Sequence, residues 1–319
     1  MTFPLRPAGV VELAVLERSG LIESRHLGAA VVVGPDGTVL RTLGDDDALI
    51  YPRSTLKLLQ AIAVLRSGVE LDGEQLVLAA ASHTGTAEHV RVVRAILDRA
   101  GLGEDALQCP EDWPSDAAAR RSASARARVT MNCSGKHAAF LLACVVNGWP
   151  VDSYLSPRHP LQLLIRRTVE DYTDEIVDRT GVDGCGAPVL AVTLLGLATA
   201  IGRVAGATRD GDPHAYRLAE AIRANTWALD SPQVATVMDE LGLIAKNGAE
   251  GVFVAGAPDG TAVALKMLDG STRASIPVAL SLLEGVGALD HDDVERVVTS
   301  TTERVLGGGE PVGELRSTV

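Results

Sequence analysis

Gly251-Val252-Phe253-Val254-Ala255, then Pro258-Asp259-Gly260, then Thr261-Ala262-Val263-Ala264-Leu265-Lys266-Met267 reads as a β-hairpin late in the chain. Apolar runs flank a Pro-Asp-Gly tip, and these residues supply the backbone angles of a tight turn. A second hairpin of the same kind stands near the start. Gly28-Ala29-Ala30-Val31-Val32-Val33 meets Gly34-Pro35-Asp36-Gly37, then Thr38-Val39-Leu40-Arg41-Thr42-Leu43. Pro-Asp-Gly hairpins are frequent, so the likeness does not require an internal repeat. Between the two the periodicity is mostly helical. Thr86 can cap a helix running through Glu88 to Ala100, stopped by Gly101. Gly135 to Asn147 reads as a helix stopped at Gly148; Leu161 to Arg179, Pro188 to Val204 and Pro213 to Trp227 follow. Ile276 to Leu289 reads as a C-terminal helix, and Cys109 to Arg128 as a long ordered loop or short helical piece. Strands from both ends with helices between predict an α+β fold. One antiparallel sheet, from about 1–50 and 250–319, stands beside a mainly helical region in a single domain over 1–319.

Bulk properties narrow the function. The net charge of -12 argues against nucleic-acid binding through phosphate neutralisation. No basic segment followed by an apolar block opens the chain, and no long apolar stretch is free of charges and turn residues. Neither a signal peptide nor a membrane span is expected, and the reading is a cytoplasmic protein. Aromatic residues are only 3% of the chain, so alanine, valine and leucine must fill the core. Cys109, Cys133, Cys144 and Cys185 are few for this length and suggest thiols or metal ligands more than disulfides.

Ser54-Thr55-Leu56-Lys57 precedes the apolar run Leu58 to Leu65, a buried helix ending near Gly68. Serine and lysine three apart at a helix start share one face. A lysine made partly neutral by burial can take the serine proton, the acylation machinery of Ser-x-x-Lys hydrolases. The bland reading is an N-cap serine beside an unrelated first-turn lysine. Ser82-His83 closes a second apolar run just before Thr84-Gly85, well placed to face a cleft. Asn132-Cys133-Ser134-Gly135-Lys136-His137 evokes a phosphate loop, but Thr130 stands where its first glycine belongs and His137 where its hydroxyl belongs. A metal reading suits it better. Cys133 and His137 are four apart, and Cys185 sits in the loop Asp183-Gly184-Cys185-Gly186, so two thiols from separate loops could hold Zn²⁺. The glycines of Lys246-Asn247-Gly248-Ala249-Glu250-Gly251 allow close approach to a ligand. Lys266, in an apolar strand, is either an edge gatekeeper or a site residue.

Taken jointly these blocks resemble the asparaginase II family, the rhizobial type of L-asparaginase. The likeness rests on Tyr51 to Lys57, Ala81 to Gly85, Asn132 to His137, His159-Pro160 with Gln162, Asp183 to Pro188 and Lys246 to Gly251, in the family's order. The tail after Leu306 is less similar. The resemblance implies a fold related to serine β-lactamases and penicillin-binding proteins. It implies hydrolysis of L-asparagine to L-aspartate and ammonia, and a homodimer. It implies two serine-lysine pairs, Ser54 with Lys57 and Ser82 with Lys266. It also implies a Zn²⁺ on Cys133, Lys136 and Cys185, where the residues alone favour His137 as third ligand. Arg53 for the substrate carboxylate and Asp183 for its ammonium, with His83, Asn132, Gly248 and Glu250, complete the expected substrate-binding set. Two other readings are another Ser-x-x-Lys hydrolase (β-lactamase, peptidase or esterase) and a non-catalytic zinc-dependent amino-acid sensor.

Overall fold

The computed structural model describes residues 3–319. Strands β1 (Val11–Arg18) and β2 (Leu21–Val33) are joined by Ser19-Gly20, both at positive φ, 51° and 82°. Such a two-residue turn matches the right-handed twist of the strands it joins. β3 (Val39–Leu43) and β4 (Leu49–Ile50) follow. Then come α1 (Lys57–Arg66), α2 (Gly73–Ala80), α3 (Ala87–Ala100), α4 (Ala117–Ser122), α5 (Ser134–Asn147) and α6 (Pro160–Thr173). Short strands β5 (Thr180–Val182), β6 (Pro188–Leu190) and β7 (Val192–Thr193) lead to α7 (Leu194–Ala205), α8 (Pro213–Ala224) and α9 (Pro232–Leu241). β8 (Ile244–Gly248), β9 (Val252–Gly256), β10 (Ala262–Met267), α10 (Ser275–Gly285), α11 (His291–Thr301), β11 (Val305–Gly307) and β12 (Glu310–Ser317) complete the chain.

The chain forms two compact units. The sheet unit takes the chain up to Thr55, Val192–Gly206 and Thr236–Val319. Its sheet runs β11-β12-β1-β2-β10-β9-β8, with β3 also on β2, and every pairing is antiparallel. The long β2 carries β1 and then β3 along one edge and β10 along the other. N- and C-terminal strands thus share one sheet, as the two hairpins imply. Lys266 lies opposite Ala29 and Val252 in an interior strand, so it is not an edge gatekeeper. α7 and α10 pack on the sheet, and all five residues of β9 are buried. A strand covered on both faces reads as a continuous apolar run, as Val252 to Gly256 does.

The helical unit takes Leu56–Ala191 and Ala207–Ala235. α5 packs on α2 and α3, and α1 on α2, α6 and α8. Thr86 caps α3 by accepting from His89 N–H, and Gly101 ends it at φ 66°. Gly135 fits no phosphate-loop role: a Cβ there would lie 2.4 Å from the Leu78 carbonyl oxygen, so it lets α5 approach α2 closely.

Several expectations need correction. Pro188 to Val204 is not one helix. Val189, Val192 and Thr193 favour strand, and α7 starts only where Thr193 Oγ1 accepts from Gly196 N–H at 2.9 Å. α6 stops at Thr173 because Asp174 turns left-handed, φ 56°. Lys246 to Gly248 lies in strand β8, and α9, α11, β11 and β12 carry no signal singled out above.

Candidate active site

In the sheet unit, Arg53 and Ser54 lie in a 3-10 turn, Arg53–Leu56, immediately before α1. Leu56 is the N-cap and bears no side-chain cap, so Ser54 does not have the capping role of the bland reading. Arg53 has φ 55°, a conformation costly for any residue with a Cβ. Gly248 of β8 backs this turn: a Cβ there would meet the Pro52 carbonyl oxygen at 2.6 Å and Thr55 Cγ2 at 3.2 Å. Pro52 O also accepts from Thr55 Oγ1 at 2.9 Å. The β8–β9 turn holds Glu250 at φ 62°. Lys266 Nζ donates to the Glu250 carbonyl and, at 2.7 Å, to the Met267 carbonyl. Burial lowers the Lys266 pKa, and Glu250 and Asp269 act against that shift. Two non-glycine residues at positive φ in two predicted site blocks mark stored backbone strain.

In the helical unit, Lys57 is the first residue of α1 and is buried. Its Nζ donates to the Ala81 carbonyl at 2.8 Å and lies 2.9 Å from Ser82 Oγ. The serine hydroxyl bonded to Lys57 is therefore that of Ser82. Ser82 sits past the C-terminus of α2, its N–H held by the Leu229 carbonyl at 2.8 Å. The next N–H, of His83, goes to the Asn132 carbonyl at 3.1 Å. His83 is interior. Its Nδ1 accepts from Gly85 N–H at 3.1 Å, so Nε2 carries the proton and donates to Ser134 Oγ at 2.8 Å. Ser134 Oγ–H passes on to the Val129 carbonyl at 2.8 Å. Both ring nitrogens are engaged in fixing the loop that carries Ser82.

Two thiols and a lysine meet at the start of α5. Cys133 caps α5, Lys136 lies in its first turn, and Cys185 sits in the loop of the β5–β6 hairpin. Asp183 N–H donates to Ala187 O and Gly186 N–H to Asp183 O, which fixes that loop. Lys136 Nζ donates to Cys185 Sγ at 3.1 Å. Cys133 is held well below the usual thiol pKa, first by a hydrogen bond from Cys185 and then, against its burial, by Lys57 and Lys136. Cys185 is raised because its thiol donates to Cys133. Burial works against the Lys136 charge, but Cys185, Cys133 and Asp183 outweigh it and raise its pKa. Asn132 is exposed, and its Oδ1 lies 3.0 Å from Cys133 Sγ. Cys109 and Cys144 are buried thiols whose pKa values burial pushes up to about 11.

A family model described as L-asparaginase II matches residues 14–317. The chain belongs to the L-asparaginase II family. No curated protein matches it. Among solved structures it is similar to a Bacillus glutaminase, 12% identical, covering 82% of this chain and 91% of that one at a TM-score of 0.48. It is also similar to a β-lactamase from Mycobacterium bovis, 16% identical, covering 86% and 95% at a TM-score of 0.41. The family match runs through the tail that is less similar by motif, and β12 of that tail pairs along β1. Among the described residues no helix is long and apolar enough to cross a membrane.

Membership gives the two groups a common frame, an amidohydrolase, and the geometry adds residues that motif reading missed. His89 stacks on His83, ring centroids 5.2 Å apart, and meets Trp227 at 5.1 Å. Tyr154 Oη contacts His137 Nδ1 at 2.7 Å. His89 stands at the third position of a capping box, a detectable signal; Trp227 and Tyr154 lie far away in sequence and leave none. The donor chemistry of Cys133, Lys136 and Cys185 fits zinc: two sulfurs and an amine, all buried, with one sulfur already disposed to ionise. Among the described residues no three of His, Cys, Asp and Glu are arranged to hold a metal.

Proposed function

We propose that this member of the L-asparaginase II family hydrolyses L-asparagine to L-aspartate and ammonia through an acyl-enzyme. The observation that carries the reading is the buried lysine amine of Lys57, 2.9 Å from the Ser82 hydroxyl and three residues after Ser54, in a chain of this family. Ser54 is the nucleophile: its oxygen bonds to the side-chain amide carbon, and Lys57, in its neutral form, receives the serine proton. Developing negative charge at the start of α1 is favoured by the helix dipole and its free N–H groups. The C–N bond breaks, the amine leaves as ammonia with a proton returned from the lysine, and water then hydrolyses the ester to aspartate. Ser82, bonded to Lys57, holds that amine in place and offers it a path for proton exchange. Arg53 is assigned to the substrate α-carboxylate and Asp183 to its α-ammonium. Ser82–Lys266 as a second pair follows from the family resemblance.

Cys133, Lys136 and Cys185 would hold the zinc, which when bound supplies a fixed positive charge that anchors substrate. To serve as a ligand Lys136 must give up its proton. The reading also carries a cytoplasmic homodimer, which light scattering checks. The test of function is ammonia release from asparagine, glutamine and β-aspartyl compounds, beside nitrocefin and p-nitrophenyl esters. Asparagine preferred over all others supports the proposal. Glutamine preferred moves the substrate within the amidohydrolases; turnover of nitrocefin or esters alone overturns it, and binding without ammonia release makes the chain a sensor.

A further inference from the structure

A cleft of about 340 Å³ lies wholly within the sheet unit, and none of its lining residues belongs to the blocks that carry the proposed chemistry. Its floor follows from strand register. Leu16 of β1 stands directly opposite Leu315 of β12, so the two share one face of the sheet. Arg18, two residues further along β1, is on that same face. Gly313 of β12 pairs with Arg18 on one side and with Val305 of β11 on the other. A Cβ at Gly313 would collide with the Glu17 carbonyl oxygen, so no side chain stands between Arg18 and Val305 in this row. Leu16, Val305 and Leu315 are buried and make the floor apolar.

The rim is cationic. Arg18 Nε pairs with Glu23 at 2.8 Å, and its Nη1 donates to the Leu306 carbonyl at 3.1 Å, which ties it to β11. Arg273 Nη2 donates to His26 Nε2 at 3.0 Å. A guanidinium cannot accept, so the His26 proton is on Nδ1, 3.5 Å from Asp269 Oδ2. Burial, and then the Arg273 charge, hold the His26 pKa below its ordinary value, so the ring stays neutral and goes on accepting. Arg273 is thus aimed by a buried histidine, and its remaining guanidinium N–H groups are unengaged among the described residues. Arg304 makes no hydrogen bond or ion pair among the described residues. Three guanidinium groups and one carboxylate, Glu303, line this cleft in a chain of net charge -12, a local reversal of sign that draws an anion.

We propose that this cleft binds a small aliphatic carboxylate, its head group held by Arg273 and Arg304 and its hydrocarbon body laid on Leu16, Val305 and Leu315. A guanidinium fork matches the two oxygens of a carboxylate. An inorganic anion would leave the apolar floor unused, and a neutral aliphatic molecule would leave the guanidinium groups unpaired. A cavity of this size, mostly preformed, with an apolar floor and a few convergent polar groups, is the usual form of a small-molecule site.

Chemical-shift titration of the ¹⁵N-labelled full chain with sodium acetate, butyrate and hexanoate tests it. The Nε–H signals of Arg273 and Arg304, assigned by their loss in Arg273→Gln and Arg304→Gln, should move as hexanoate is added. Affinity should rise by about 2–4-fold per methylene from acetate to hexanoate. The double variant, Arg273→Gln with Arg304→Gln, should bind hexanoate roughly 10-fold or more weakly, with circular dichroism unchanged. Both side chains are exposed, so their loss leaves the fold in place. Equal affinity for acetate and hexanoate overturns the proposal, since the apolar floor would then take no part. Signals of Arg273 and Arg304 that stay still throughout overturn it as well. The proposed substrate site also takes a carboxylate, so Arg53→Gln is the control and should leave hexanoate binding unchanged. Binding lost in Arg53→Gln and kept in the double variant would place the acid on the substrate residues and overturn this inference, whatever the outcome for asparagine hydrolysis.

Discussion

The two units hold their functional groups by different means. In the sheet unit the groups are placed by backbone conformation. Arg53 and Glu250 are left-handed, Gly248 admits the Ser54 turn at a distance no side chain tolerates, and Lys266 is only half-buried and bonded to carbonyls. In the helical unit the groups are placed by burial and saturation. Lys57, His83, Lys136 and His137 are each 1% exposed or less, and hydrogen bonds set their positions. Strain is relieved by changing one residue to glycine, whereas a buried polar network fails when any member is removed. The two units should therefore respond differently to substitution, pH and metal.

The largest effect is expected in the turn that opens α1. Ser54→Ala and Lys57→Met should each lower ammonia release by roughly three orders of magnitude or more, with circular dichroism unchanged. More than about a tenth of wild-type turnover in Ser54→Ala would remove Ser54 as nucleophile. Mass mapping of a trapped acyl-enzyme onto Ser82 would then move the chemistry to the lysine-bonded serine.

Next comes the metal. One zinc per chain should be found in protein purified without chelator, and the double change Cys133→Ser with Cys185→Ser should abolish it. Full stoichiometry in the double variant would break the contrast, since the buried thiols would then serve packing alone.

Acid should destabilise the buried side of the comparison. Burial holds the His89 pKa below the ordinary value, with only partial compensation from the Trp227 carbonyl and from Glu88 and Asp116. As pH falls below about 6.5 the unfolded chain binds this proton before the folded one does. Stability is therefore lost progressively until pH reaches the lower folded pKa. Urea midpoints measured across this range should fall with pH, and His89→Gln should flatten that slope. An unchanged slope would separate His89 from the acid sensitivity.

Gly248→Ala should cost about 1–3 kcal/mol and lower kcat/KM, because the added methyl displaces the Pro52 carbonyl and the turn behind Ser54. A fully active, fully stable Gly248→Ala protein would show that the turn yields without consequence. The smallest effect is expected at Glu250. Replacement by glycine should relieve the left-handed strain and raise stability by up to about 1 kcal/mol, while ammonia release drops. A Glu250→Gly protein that gains stability without losing activity would mean that the strain there serves no function.

Much of this was legible in the chain itself. Alternation and Pro-Asp-Gly tips mark β2–β3 and β9–β10, because strand faces and turn angles are local properties. Thr86 and Gly101 mark the ends of α3 for the same reason. Six short blocks in family order point to the L-asparaginase II family, since catalysis needs particular side chains at short spacings. The strands β11 and β12 were not legible: their residues are mostly exposed, and the strand that joins them to the sheet, β1, pairs with β12 from about three hundred positions away.

What only the tertiary structure decided is which groups share a proton. Sequence spacing sets Ser54 beside Lys57, but the hydroxyl bonded to that lysine comes from Ser82, past the end of another helix. Spacing sets His137 beside Cys133, but the group its Nδ1 meets at 2.7 Å is the hydroxyl of Tyr154, seventeen residues on. The sequence by itself determined the inventory of nucleophiles, thiols and lysines, and the local elements that carry them. Their pairing was left to packing, because a buried proton is placed by whichever donors and acceptors the fold brings within about 3 Å, and those come from residues without sequence proximity.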